Sequence, residues 1–120
     1  MKEILHHKTL DYVINYPDDY EEGKKFPLLI HLHGAGTRGN DISLVADTAV
    51  GPLGEITRGV RLPFIIAAPQ CPGKTWFEYS ETLLSLIDTL VAREDVDRSR
   101  VYLCGISMGG YACWQVATVR

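Results

Sequence analysis

Hydrophobic positions along the chain follow two different periods. Residues Leu10 to Tyr16 alternate, with Tyr12, Ile14 and Tyr16 on one face and Asp11, Val13 and Asn15 on the other, the pattern of a half-buried strand. With Lys2 to Leu5 ahead of it, this segment predicts an N-terminal hairpin. Pro17 to Lys25, dense in charge and turn residues, then predicts a solvated turn. Three later stretches, Phe26 to His33, Phe64 to Ala68 and Val101 to Cys104, are almost continuously apolar. Strands buried on both faces read this way, and such burial belongs to parallel sheets covered by helices. From Trp76 to Glu94 the period lengthens: Leu83, Leu86, Ile87 and Leu90 recur at helical spacing, widened by Leu84 and Val91, and Thr75 with Glu78 forms a capping box at the start. A shorter helix is expected over Ile42 to Ala49, and Tyr111 to Val119 is a helix-compatible apolar run. Strands and helices that alternate in this order predict an α/β fold with an N-terminal hairpin, parallel strands and flanking helices.

Composition narrows the function classes. The chain has 120 residues, 46% hydrophobic and 22% charged, with a formal net charge of −3. That balance excludes disorder, and 11 Gly and 6 Pro without a period exclude a collagen-like or low-complexity chain. No linker or repeat divides it, so residues 1–120 are read as one domain. The mild acidity provides no footprint for nucleic acid or an anionic membrane, so neither is expected as a partner. Three cysteines, Cys71, Cys104 and Cys113, lie within or beside apolar runs, which favours free buried thiols and a reducing compartment. Met1 to His7 has no continuous apolar segment, and no run approaches the roughly 18 apolar residues of a membrane helix. The expectation is a soluble, cytoplasmic protein.

The chemistry concentrates in two glycine-rich stretches. Gly105-Ile106-Ser107-Met108-Gly109 directly follows the predicted strand Val101 to Cys104 and directly precedes the helical run. A G-x-S-x-G pentapeptide in a strand-turn-helix setting is a nucleophile elbow: Gly105 and Gly109 lack side chains that would collide at the sharp turn, Ser107 is held above the sheet, and the Met108 N–H faces the same space. The second stretch, His33-Gly34-Ala35-Gly36, closes the first buried strand, where acyl transfer needs another backbone N–H for a tetrahedral oxyanion. Ala68 to Thr75 also fits a relaxed P-loop, but Pro69 and Pro72 each remove a donor that a phosphate cradle requires.

His33 to Asp41, then Ala68-Pro69-Gln70-Cys71-Pro72, then Arg100 to Leu103 leading into Gly105 to Tyr111, resemble the α/β-hydrolase superfamily, nearest its bacterial carboxylesterase, feruloyl-esterase and predicted-peptidase group. The resemblance implies a serine carboxylic-ester hydrolase acting by acyl transfer on a small-molecule ester. Ser107 would be the nucleophile, Met108 and Ala35 the backbone oxyanion donors with Gly34 the alternative second donor, and no metal or organic cofactor is implied. It also suggests Trp76, Phe77 and Tyr79 as pocket walls, against a reading as aromatics packed at a helix start. The superfamily orders its triad Ser, acid, His, yet no Asp, Glu or His follows Ser107 and all four histidines precede it. Of these, His31 reads as a core residue and His33 as a brace of the turn or a substitute base. The expectation is therefore a partial α/β-hydrolase fold, the N-terminal half of a domain of roughly 200 to 250 residues, cut after the elbow helix. The bare outer edge of the Val101 to Cys104 strand then predicts self-association or pairing with a C-terminal half. The alternative function is a catalytically inactive half-domain that serves as an association or binding module.

Overall fold

The computed structural model describes residues 2–48, 51–106, 108–110, 112 and 113. Its centre is a five-stranded sheet in the order β1-β2-β4-β3-β5. The strands are β1 (Lys2–His7), β2 (Leu10–Asn15), β3 (Phe26–Leu32), β4 (Ile65–Pro69) and β5 (Val96–Gly105). The hairpin β1-β2 is antiparallel and β2 joins β4 antiparallel, whereas β4, β3 and β5 run parallel. The helices are α1 (Ser43–Ala46), α2 (Gly51–Thr57) and α3 (Ser80–Val91), with single 3-10 turns at Ala35–Thr37 and Trp76–Tyr79.

Period-two alternation divides each inner strand between two apolar layers. Tyr12 and Ile14 of β2, Leu28, Ile30 and Leu32 of β3, and Ile65 and Ala67 of β4 face one layer, which Leu83, Leu86, Ile87 and Leu90 of α3 close. Val13 of β2 with Ile66 and Ala68 of β4 face the other, covered by Val45 and Ala46 of α1 and Leu53 of α2. Helices on both faces are what made the strand sequences continuously apolar.

Three sequence expectations are corrected. Trp76 to Glu94 is not one helix: a 3-10 turn over Trp76–Tyr79 precedes α3. There Glu78 Oε1 accepts from the backbone N–H groups of Lys74 at 2.8 Å and Thr75 at 3.0 Å, which tightens the first turn. The expected helix over Ile42 to Ala49 is the short α1, and a second helix, α2, follows that Pro52 in its first turn signals. Gly51 opens α2 with φ of +70°, and a Cβ there would stand 2.9 Å from His31 Nε2. Finally, β5 begins at Val96 with a bulge opposite Phe26 and Leu28, and it is not buried on both faces: Tyr102 is 50% exposed. Among the described residues β5 pairs only with β3, so it is the edge of this sheet. The predicted helix Tyr111 to Val119 lies mostly outside the described residues; 108–110, 112 and 113 are helical.

Candidate active site

The parallel register brings the C-terminal ends of β4, β3 and β5 side by side, so the loops that follow them meet at one end of the sheet. Between them lies a cavity of about 210 Å³ whose lining includes His31, Gly34, Val45, Leu53 and Ile106.

The loop after β3 starts with His33, which is buried. The Cys71 N–H donates to His33 Nε2 at 2.9 Å, so Nε2 is the acceptor nitrogen and the ring proton sits on Nδ1, which donates to the Gly34 carbonyl at 2.6 Å. Burial pushes the His33 pKa below its ordinary value; the Gly34 hydrogen bond opposes this, and the Arg38 charge adds to the lowering. His33 lines the cavity, but both of its nitrogens are committed to backbone, so it is a neutral brace and not a base with a free nitrogen. The Trp76 indole N–H donates to the His33 carbonyl at 3.1 Å, with the two rings 5.0 Å apart. Trp76 is thus a buried support, Phe77 is 51% exposed, and Tyr79 lies against Gly73; the cavity lining includes none of the three. In a trans peptide C=O and N–H point in opposite directions. Fixing the Gly34 carbonyl by His33, and by the Thr37 N–H at 3.3 Å, therefore fixes the direction of the Ala35 N–H.

The loop after β4 ties this one down. Buried Gln70 donates from Nε2 to the carbonyls of Thr37 and Asp41, each at 2.9 Å. The Gly39 N–H donates to the Cys71 carbonyl at 3.0 Å, and Arg38 Nη1 donates to the Lys74 carbonyl at 2.9 Å. This disposes of the P-loop resemblance. Pro69 and Pro72 have no N–H, and those of Gln70, Cys71, Lys74 and Thr75 are taken by Asp11, His33 and Glu78.

After β5, the Ile106 N–H donates to the Leu32 carbonyl at 3.1 Å and the Gly109 N–H to the Ile106 carbonyl at 2.9 Å. A Cβ on Gly105 would overlap the Gly109 carbonyl and lie 2.6 Å from Gly110 N; one on Gly109 would overlap the Leu32 carbonyl and lie 2.8 Å from that of His33. Both positions exclude every residue but glycine. Met108 opens the helical residues; Ser107 and Tyr111 lie outside the described residues, as does the Ala35 side chain.

The other histidines are placed elsewhere or held. His31 Nδ1 is 3.2 Å from Cys104 Sγ, and burial, then the neighbouring His33, lowers its pKa. His6 pairs with Asp11 and His7 with Ser85, on the strand at the far edge of the sheet from β5. Among the described residues no cluster of His, Cys, Asp or Glu could hold a metal ion. The three cysteines are free thiols, and no described helix is long and apolar enough to cross a membrane.

Strand order, helices on both faces and a glycine-flanked turn after β5 define part of an α/β-hydrolase fold. Its relatives are esterases: the chain is 29% identical over 120 residues to "Probable feruloyl esterase C" of Aspergillus oryzae, covering 95% of this chain and 44% of that protein. The protein of the same name from Aspergillus terreus is 24% identical over 114 residues, with 92% and 42% covered. Among solved structures, a thermostable esterase superposes with a TM-score of 0.65 at 28% identity, over 95% of this chain and 36% of that one. A ferulic acid esterase from Anaeromyces mucronatus gives 0.64 at 21% identity, over 100% and 53%. No family model matches the chain. The chain spans less than half the length of the curated relatives it matches.

Proposed function

We propose that the chain carries the nucleophile portion of a serine carboxylic-ester hydrolase, with Ser107 as the attacking group. The observation that supports this most is the pair of positions, Gly105 and Gly109, at which a Cβ would strike the backbone, on either side of the serine in the sequence and with Gly109 against the Leu32 and His33 carbonyls. In this reading Ser107 Oγ attacks the ester carbonyl carbon, and the N–H groups of Met108 and Ala35 (or Gly34) hold the oxygen that becomes negative. The carbon-to-alkoxy bond then breaks, the alcohol leaves with a proton, and water cleaves the acyl-serine to a carboxylic acid. His33 is not the base of this step, because both of its nitrogens are committed to backbone. The names of the relatives make feruloyl-type esters the first acyl class to try.

The test is hydrolysis of a small activated aryl ester by the purified chain, with Ser107→Ala beside it. Turnover lost in the variant supports the assignment; measurable turnover that survives Ser107→Ala overturns it. A second reading, an association module without turnover, is favoured by the β5 edge, where Tyr102 is 50% and Ile106 41% exposed. Sedimentation at micromolar concentration distinguishes it: self-association supports this reading, and a strictly monomeric profile removes a second copy as the partner.

A further inference from the structure

Gln70 is a buried polar residue for which neither the elbow nor the oxyanion donors account. It is 2% exposed, and its backbone N–H is already used on the Asp11 carbonyl at 2.9 Å. Its side chain makes two hydrogen bonds, both from Nε2 and both to carbonyls of the loop after β3, Thr37 and Asp41. Two carbonyl oxygens 2.9 Å away demand the amide nitrogen on that side, since a flipped amide would oppose oxygen to oxygen. The other half of the amide, Oε1, is buried with no hydrogen-bond partner among the described residues. A glutamine is thus kept in the interior for its donors alone, although an unpaired buried carbonyl forfeits the hydrogen bonds water would give it.

What the donors hold is informative. The Thr37 carbonyl ends the 3-10 turn Ala35–Thr37, and the Asp41 carbonyl accepts from the Leu44 N–H at the start of α1. At the near end of the same segment, His33 fixes the Gly34 carbonyl. The Gly34-Ala35 peptide therefore hangs between two anchors, His33 just after β3 and Gln70 just after β4, separated by a three-residue turn that has no bulky side chain to pack it.

We infer that Gln70 is a positioning residue for the oxyanion site: its amide holds the Ala35–Thr37 turn against the end of β4 so that the Ala35 N–H keeps its direction. This rests on the Ser107 reading for its catalytic meaning, though not for the clamp itself. Gln70→Met keeps the side chain's length and burial and removes both donors. Hydrogen exchange followed by mass spectrometry reads the clamp directly. Peptides spanning 34–41 exchange at least tenfold faster in Gln70→Met, while β3 peptides spanning 28–30 keep the wild-type rate. No change over 34–41, or equal acceleration in both segments, overturns the clamp. Where the chain turns over esters, kcat falls about tenfold with KM within twofold, because a misdirected donor is lost to the transition state more than to bound ester. A loosened loop with unchanged kcat overturns the catalytic role. Turnover that survives Ser107→Ala sinks the functional reading instead, and the exchange result still decides the clamp, as it does for a chain that hydrolyses nothing.

Discussion

His33→Ala separates two roles that one histidine at this position could have. As a brace, its loss leaves the Cys71 N–H without an acceptor in a residue that is fully buried. An orphaned buried donor costs about 1–3 kcal/mol, and the ring contact with Trp76 adds roughly 0.5–1.5 kcal/mol. The expected loss is about 2–4 kcal/mol, which in a domain of this size lowers Tm by roughly 8–16 °C. Urea unfolding followed by far-UV circular dichroism measures it. The pH dependence is a second check. His33 titrates below its ordinary value in the folded chain, so its contribution is full above the unfolded pKa of about 6.5. As pH falls below that, the unfolded chain binds a proton that the fold refuses, and stability declines. His31 is lowered too, in part by His33 itself, so losing His33 relieves part of that shift and narrows the gap further in acid. That gap narrows between pH 7.5 and pH 5.5. A gap under about 0.5 kcal/mol at pH 7.5, or one that widens on acidification, refutes the brace. A fully stable variant that has lost all Ser107-dependent turnover would make His33 the base.

Gly109→Ala forces a Cβ into the Leu32 carbonyl and destabilises by about 2–4 kcal/mol, while Gly36→Ala, where a Cβ meets nothing within 4 Å, stays within about 0.5 kcal/mol; paired urea curves test the contrast. Leu86→Ala empties a fully buried site between α3 and the sheet and costs about 2–5 kcal/mol, read as a lower urea midpoint with an unchanged slope. Burial raises the thiol pKa of Cys71, Cys104 and Cys113, the last pushed up to about 11, so iodoacetamide at pH 8 alkylates the folded chain at least tenfold more slowly than the urea-unfolded one. Equal rates would contradict that burial.

The sheet was legible because its strands carry strong periods. Tyr12, Ile14 and Val13 divide between the two apolar layers as their alternation predicts, and the continuous run Leu28 to Leu32 is buried because helices cover both faces. Where the reading failed, tertiary context overrode pattern. Val101 to Cys104 is as apolar as β3, and its edge position agrees with the expected bare edge, but burial on both faces does not hold: Tyr102 is half exposed. α2 escaped notice because seven residues hold too few apolar positions to show a period, though Pro52 after the left-handed Gly51 marked its start.

The site divides along a similar line, set by how many residue types each position admits. Gly105 and Gly109 could be read from sequence because backbone approaches within van der Waals contact there, so the position excludes all but glycine. Gln70 and the tautomer of His33 could not, since glutamine and histidine at strand ends serve many purposes and the deciding partners, Thr37 and Asp41 for Gln70 and Cys71 for His33, lie 29 to 38 residues away in the chain. Those partners become neighbours only because the sheet order sets β4 beside β3, an arrangement that hydrophobic periodicity does not encode. The loop proposed to hold the second oxyanion donor is thus fixed mainly by backbone carbonyls and N–H groups that every sequence possesses. Its chemistry is specified by the few side chains, His33, Gln70 and Trp76, that reach across to them, and substitutions at these three positions should disturb the site more than changes within the loop's own side chains.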